Sequence, residues 1–553
     1  MTVPTRLMTN GKIWCGLKEG FAEAIAIDGD KVLATGTAAE MAALAGPETE
    51  IIDLEGKLAT PGLNDAHMHL HHYGRSLVEL DLRPAAGVTS VQAIVDLVKE
   101  AVANAEPGQW ILGRGYDHDK LAELEHPTKW DLDTVSPDNP VFLTRTCGHT
   151  TVGNSLALKA GGIGRDTPDP FGGKIRRRNG EPDGILFENA RDAVRAVMPP
   201  ITESQLVAAI ERGGKKLLTF GITSIMEAAI GIGEGEVELD AYLTAHEQNR
   251  IPLRVAGTLM GDLERNIVDY AHSKGLVTGV GDDIFRIGPV KFFTDGSAGA
   301  GTAWFSIPYE NDETNFGVRC LTQEQTDELT LKAHRLGYQI APHAIGDAAI
   351  SMVLNAYEKA YAEMPDPDRR HRIEHCGWHV PEDLARLKAM KVIPAGQPSF
   401  LYFFGEGYYT ILGSERPQHC YPFKTWFEEG LHPSASTDCP VTSPDPMPCL
   451  YAMVARKSDT GKPLGLAQAL SVAEALHLYT YEAAYGVHDE ERKGRLIPGQ
   501  LADIAVFDTD FFAVEPEAFL SAKCLMTVLG GEVVYRARDR LPRHTRNSPK
   551  RAP

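Results

Sequence analysis

Six residues of this chain carry side chains suited to a divalent metal, and each closes a short apolar run. His67 and His69 end the stretch Leu63-Asn64-Asp65-Ala66-His67-Met68-His69, and Lys291 ends Gly288-Pro289-Val290-Lys291. His343 follows Ala341-Pro342, His375 closes Arg372-Ile373-Glu374-His375, and Asp438 closes Ser436-Thr437-Asp438. Residues i and i+2 of a strand share a face, so His67 and His69 can chelate one ion. His71 and His72 crowd the same loop and leave the register open; the first pair is favoured because it sits nearer the apolar strand. His343 and His375 end successive strands and suit a second ion, although either alone also suits a core role. Asp438 can touch a metal and take a proton from a water whose pKa a divalent ion brings to roughly 7. It can also simply cap the turn before Pro440.

Lys291 is the unusual member. A lysine in a buried strand is costly, and as an ammonium it repels metal. With a depressed pKa it can add carbon dioxide and become a carbamate, a carboxylate-like bridge for two cations. An ion pair with Asp295 or Asp438 is the competing reading. His379 lies four residues after His375, but no HExxH helix is present and Gly377 interrupts the run, so His379 is left outside the set. Cys376 and Cys439 directly follow proposed ligands and, by strand alternation, pack behind them.

Ligands scattered this widely meet only where a fold gathers strand ends. Strand-like runs occur at 58–69, 222–228, 253–259, 285–294, 338–343, 371–375, 392–397 and 433–438. Amphipathic stretches separate most of them, as at 203–218, 236–249, 322–336 and 381–390. Eight strands with intervening helices predict an α/β fold, a (β/α)8 TIM-like barrel whose site lies at the carboxyl ends of the strands. A doubly wound sheet would need a Gly-rich nucleotide loop, and Gly231-Ile232-Gly233-Glu234-Gly235 has the wrong spacing. Both chain ends alternate like short antiparallel strands, with Asn10-Gly11, Asp28-Gly29-Asp30 and Gly530-Gly531 as hairpin turns. The expected organisation is therefore a composite β-sandwich from 1–61 plus 490–545, a barrel over 62–489, and a basic tail at 546–553. Roughly 150 residues separate the first two barrel strands, too many for one connection, so an inserted subdomain is expected at about 72–200.

Composition narrows the function classes. The 553 residues carry 55 basic and 75 acidic side chains, a net charge of −20, which argues against a nucleic-acid partner. No apolar stretch reaches membrane-spanning length, and the eight cysteines form no CxxC pair. A cytoplasmic protein with reduced thiols, no membrane partner and a small-molecule substrate is expected.

The motifs PGLNDAHMH, VKFFTDGS, HAIGD, RIEHC, STDCPV and GRLIPGQLADIAVFD together resemble the amidohydrolase superfamily, in its amidohydrolase-3, YtcJ-like branch that includes N-substituted formamide deformylases. The resemblance spans most of the chain. It implies a (β/α)8 barrel with a β-sandwich domain and two divalent ions, zinc first, with manganese or iron as alternatives. His67 and His69 would bind one ion and His343 and His375 the other, with carbamylated Lys291 as bridge and Asp438 as acid/base. The implied reaction is hydrolysis of an amide-type carbon–nitrogen bond of a small, N-substituted and partly apolar substrate by hydroxide that the metal activates. Ester, carbamate or lactam hydrolysis, a mononuclear deaminase and an inactive scaffold are the alternatives. The deaminase would want a glutamate in an HxxE motif, which His343-Ala344-Ile345-Gly346-Asp347 lacks. His149, Asn154, Trp304, Phe400 and Tyr402 are the candidates for substrate contact, the aromatics on barrel loops. The family also leaves homo-oligomerisation open.

Overall fold

The computed structural model describes residues 2–145, 150–170 and 172–537. The chain divides into two compact units, Met1–Leu70 with Ile210–Pro553, and His71–Ala209.

In the first unit, segments from both chain ends build two sheets. The six-stranded sheet runs, edge to edge, Glu532–Arg536, Cys524–Leu529, Ile504–Phe507, Leu58–Pro61, Lys12–Gly16 and Gly20–Ala22. The four-stranded sheet runs Lys31–Gly36, Ala24–Asp28, Arg6–Thr9 and Glu50–Asp53. One apolar core joins them, with Met8, Ile25 and Ile27 from the smaller sheet against Ile13, Ile504, Val506 and Val528 from the larger. Two expected hairpins form, since Asp28 pairs with Lys31 and Leu529 with Glu532 around two-residue turns. Asn10-Gly11 is not a hairpin. The strands on either side of it lie in different sheets, so the chain changes sheet there instead of turning back. The reading of 58–69 as one strand is likewise corrected: Leu58–Pro61 belongs to the six-stranded sheet, and a separate strand begins after Gly62.

The middle of the unit alternates parallel strands with helices. The strands are β1 Leu63–Met68, β2 Ile222–Ile230, β3 Arg254–Met260, β4 Phe285–Lys291, β5 His343–Ala344, β6 Arg372–His375, β7 Ile393–Gly396 and β8 Ser434–Ala435. The helices include α1 Glu203–Leu218, α2 Glu236–Glu247, α3 Val268–Ser273, α4 Gln323–Arg335, α5 Asp347–Glu363, α6 Pro381–Met390 and α7 Pro398–Leu412. Strands β1 to β4 pair in parallel as one sheet, with neighbours in chain order, and β5 to β8 form another. They are buried along almost their whole length, Arg286 on β4 being the half-buried exception, as expected of a parallel sheet covered on both faces. Backbone hydrogen bonds link the two sheets at both edges. On one side Val290 N donates to Gln339 O (2.9 Å) and His343 N to Phe292 O (2.9 Å). On the other, Asp438 N donates to His67 O (2.8 Å) and His69 N to Cys439 O (2.7 Å). The regular parts of β5 and β8 are shorter than the sequence pattern suggests, because Ile340 and Ala341 and the segment after Ala435 bond outside ideal ladder geometry.

The second unit carries a six-stranded sheet in the order Gly173–Arg178, Glu181–Glu188, Thr150–Gly153, Val141–Arg145, Ile111–Tyr116 and Leu80–Asp81. Helix Val91–Ala103 covers one face through Ile94 and Val98, and Ser155–Ala160 covers the other through Ala157 and Leu158.

Candidate metal centre

The carboxyl ends of β1, β4, β5, β6 and β8 bring the six expected side chains into one cluster, all buried but the partly exposed His69. His67 Nε2 lies 3.5 Å and His69 Nε2 3.3 Å from Asp438 Oδ1. Lys291 Nζ lies 3.4 Å from His67 Nε2. The His375 ring sits 5.1 Å from that of His67 and 4.3 Å from that of His343, measured between centroids. Lys291 forms no ion pair with Asp295 or Asp438 among the described residues, so the competing reading of that lysine is not what the structure contains. Cys376 and Cys439 are buried, as expected of residues behind the ligands.

Two of the candidate ligand positions have unusual backbone. His375 has φ +72° and Asp438 φ +56°, left-handed values that cost a non-glycine residue of order 1–3 kcal/mol each. The turn at His375 breaks strand alternation, so the consecutive residues Glu374 and His375 both reach the cluster. Gly346, just beyond β5, allows the segment after β4 to approach closely: a Cβ there would lie 2.0 Å from the Trp304 carbonyl oxygen.

A second set of groups fixes the imidazoles. His67 Nδ1 is bound to Glu374 Oε2 in a very short contact. Glu374 is in turn gripped by Arg372, whose Nε donates to Oε1 at 2.7 Å. His69 Nδ1 faces Glu227 Oε1 at 3.7 Å, and Glu227 Oε2 accepts the Leu70 backbone N–H at 2.7 Å. His375 Nδ1 bonds Gln397 Oε1 at 2.6 Å, while the Gln397 amide nitrogen donates to Ser436 Oγ and Ala395 O at 3.2 Å. His343 Nε2 contacts Gly296 O at 3.0 Å and Asp295 Oδ1 at 3.3 Å. Asp295 itself accepts backbone N–H groups from Trp304 and Gly346 at 2.9 Å and from Ile345 at 3.1 Å. Ring nitrogens with carboxylate, amide or carbonyl partners behind them are oriented as metal ligands usually are. Sequence reasoning missed Glu227, Arg372, Glu374 and Gln397. Their one visible signal was charge or polarity inside apolar strand runs, which sequence alone does not pair.

The electrostatics reflect the crowding. Burial pushes Lys291 down to about 8, against the opposing pull of Glu374 and Asp438. Burial, helped by Lys291, lowers His67 to about 4. Burial also disfavours a charged His69, but Asp438 and Glu227 outweigh it and hold the ring at about 9. Glu374 is disfavoured as an anion by burial, yet Arg372 and His67 bring it down to about 2. Burial takes His375 well below the ordinary histidine range.

The donor set fits a cation. Asp438 Oδ1 is buried and accepts no hydrogen bond of good geometry, and one nitrogen from each of His67 and His69 faces it. These three ligand atoms lie within 4.8 Å of one another. Two imidazole nitrogens and an orphaned carboxylate oxygen converging in this way suit a divalent ion.

The expected substrate contacts fare differently. Phe400 and Tyr402 lie on helix α7, not on a loop, because Pro398 starts a helix directly after β7. Phe400 stacks over His375 at 5.9 Å and so reaches the cluster. Tyr402 packs edge-on against Phe403 (4.9 Å) and Tyr451 (5.8 Å) instead. Trp304 sits beside Asp295 through its backbone N–H, with the Arg319 guanidinium 5.6 Å from its ring. Asn154 makes structural contacts in the second unit. Its Oδ1 accepts from Val141 N and Ala157 N at 3.0 Å, capping the helix Ser155–Ala160, and its amide donates to Asn139 O at 2.9 Å. His149 lies outside the described residues.

Comparison with known proteins adds an independent line. The sequence profile of the amidohydrolase family matches residues 50–535. YtcJ of Bacillus subtilis is 32% identical over 532 residues, covering 95% of this chain and 98% of that protein. The N-substituted formamide deformylase of Arthrobacter pascens is 27% identical, covering 93% of this chain and 95% of that protein. The crystal structure of an uncharacterized metal-dependent hydrolase from Pyrococcus furiosus superposes with a TM-score of 0.76 at 31% identity, covering 92% of this chain and 99% of that chain.

Proposed function

The chain belongs to the amidohydrolase family and is a metal-dependent hydrolase of carbon–nitrogen bonds, and from that premise we propose a binuclear amide hydrolase with the following division of labour. The two parallel sheets, hydrogen-bonded to each other at both edges, are read as one closed (β/α)8 barrel. The terminal sheets are read as a β-sandwich, and 71–209 as an insertion after the first barrel strand.

His67 and His69 would hold one divalent ion with Asp438, and His343 and His375 the other, zinc being the first candidate for both. Lys291 would bridge them after its amine adds carbon dioxide and loses a proton. Its pKa of about 8 leaves a useful fraction as the nucleophilic amine at neutral pH. The ions, when bound, supply Lewis acidity that lowers the pKa of water toward neutrality and polarises a substrate carbonyl. Asp438, held in its anionic form by His69 and His67 despite burial, takes the proton of the attacking water. The same carboxyl group returns that proton to the departing amine as the tetrahedral intermediate collapses. Glu374, Glu227, Gln397 and Asp295 keep the four imidazoles in one tautomer and orientation throughout.

The likeness to a formamide deformylase supports a small N-substituted amide as substrate. Phe400, stacked on His375, would offer an apolar face to the N-substituent. The convergence of His67 Nε2, His69 Nε2 and Asp438 Oδ1 carries this reading. A panel of N-substituted formamides, longer amides, carbamates, lactams and esters, run with zinc-loaded protein, tests it. Turnover of amides above esters is the expected result. Absence of bound divalent metal, before and after reconstitution, would remove the proposal.

A further inference from the structure

We propose that Arg372 and Glu374 form a buried positioning pair that sets how tightly the His67/His69 position holds its metal. This rests on the binuclear reading above and deepens it. The pair is enclosed: Arg372 and Glu374 have no solvent-exposed side-chain surface, and His67 retains 1%. Three observations tie it to one ligand. Glu374 Oε2 meets His67 Nδ1, which fixes the proton on that nitrogen and turns Nε2 toward Asp438. Arg372 holds both Glu374 oxygens, through Nε at 2.7 Å and Nη2 at 3.3 Å. Nη2 also donates to Ala66 O at 3.0 Å, the carbonyl immediately before His67. One guanidinium therefore fixes the partner of the imidazole and the backbone from which the imidazole hangs. Its Nη1 is anchored to Gly486 O at 3.3 Å, just past the helix Tyr481–Tyr485.

The other candidate ligands lean on partners of a different kind. His375 leans on a neutral amide, Gln397. Asp295, behind His343, already accepts three backbone N–H groups, which disperse its charge. Glu227, behind His69, accepts from a backbone N–H and from the Tyr242 hydroxyl. His67 is backed by a carboxylate whose own counter-charge is an arginine two residues away on the same strand. A charged acceptor raises imidazole basicity, and partners of this kind change metal affinity by about 10–100-fold when removed.

The test uses the full-length chain titrated with cobalt(II), which reports ligand geometry by its visible absorption. Glu374→Gln keeps an acceptor for His67 Nδ1 and removes the charge. The expected result is a loss of about 10–100-fold in affinity for the first equivalent, with a changed absorption envelope. Removing one buried partner strands the other charge and can unfold the chain. The double variant Arg372→Met/Glu374→Gln removes both charges and is expected to show the same affinity loss. A third readout needs no variant: nitrogen-15 histidine spectra of the zinc-loaded wild type should show His67 protonated at Nδ1 and ligating through Nε2. Wild-type affinity in a folded variant, or a metal-bound Nδ1 at His67, overturns the positioning role. Failure of the wild-type chain to bind cobalt(II) or zinc at all overturns the metal reading instead, so the two failures are distinguishable.

Discussion

Metal uptake at the His67/His69 position should compete with protons, and the structure sets how steeply. Without a cation, a proton stands in for one: Asp438 and Glu227 hold His69 protonated up to about 9, even though burial opposes the charge. His67 takes no part above pH 5, because burial and the neighbouring Lys291 keep it neutral down to about 4. Lys291, lowered chiefly by burial, gains its proton near pH 8, and its ammonium would then sit 3.4 Å from His67 Nε2. The sign follows directly. As pH falls, groups in the metal-free protein bind protons that the metal must displace, so affinity falls with pH. Between pH 9 and 8 one proton is displaced, from His69, and apparent affinity should drop about tenfold. Between pH 8 and 7 the Lys291 proton adds to it, and the drop should approach about a hundredfold. The total of about a thousandfold corresponds to about 4 kcal/mol. Competition with a chelator of known pH dependence, in bicarbonate-free buffer to keep Lys291 an amine, measures this. A change smaller than tenfold between pH 9 and 7 would refute the account of His69 as a proton-filled ligand.

Asp438→Asn should retain metal, since an oxygen ligand remains, and lose about 10²–10⁴-fold in turnover, as removal of a general acid/base does; metal content and steady-state rates on the same preparation check it. Unchanged turnover would take Asp438 out of the proton transfer. Asn154→Ala should lower unfolding free energy by about 0.5–2 kcal/mol through loss of a helix cap and leave kcat unchanged, which denaturant titration beside an activity assay would show. His371 is buried, accepts from Ile340 N at 3.1 Å through Nδ1 and contacts His334 Nδ1 at 3.0 Å through Nε2. Burial first, and then His334, hold its pKa well below 6.5 in the folded state. The unfolded chain therefore binds this proton first, so the stability tied to a neutral His371 is complete above pH 6.5 and lost as pH falls below it. Melting temperatures from pH 8 to pH 5 should fall more steeply for wild type than for His371→Gln, and parallel curves would exclude this contribution.

The difference between what was legible in the sequence and what was not is physical. The six candidate residues, of three types, can be picked out because each ends a strand-like run, and a run of that kind has few ways to be buried. The strands were also visible as runs, but where a run crosses from one sheet to another the pattern is silent. Residues 58–68 are buried without a break, and only Gly62 marks the passage between sheets. Supporting residues were hidden for a different reason. Glu374 would face away from His375 in a regular strand, and the left-handed φ of +72° at His375 removes that rule. Its partner His67 is 307 residues away, a pairing no local pattern encodes. Asn154 is a candidate substrate contact from the insertion, and an asparagine followed by Ser155-Leu156-Ala157-Leu158 also reads as an N-cap, a role it fills here.

The edge where β8 meets β1 shows why fold and site cannot be separated in this chain. Asp65 is wholly buried, and its Oδ1 accepts from His67 N at 3.2 Å. Its Oδ2 accepts from the Thr437 hydroxyl at 2.6 Å and from Tyr479 at 3.2 Å, and Thr437 N reaches both oxygens. One carboxyl group thus holds the backbone of one ligand and the residue preceding another. The adjoining hydrogen bonds, Asp438 N to His67 O and His69 N to Cys439 O, run between the same two strand ends. A left-handed Asp438 is tolerated because this lattice over-determines its position. The contacts that join the last strand to the first therefore also fix the distance from Asp438 to both imidazoles. The candidate site is therefore built across that join, and the hydrogen bonds that close the strand edge also hold its side chains.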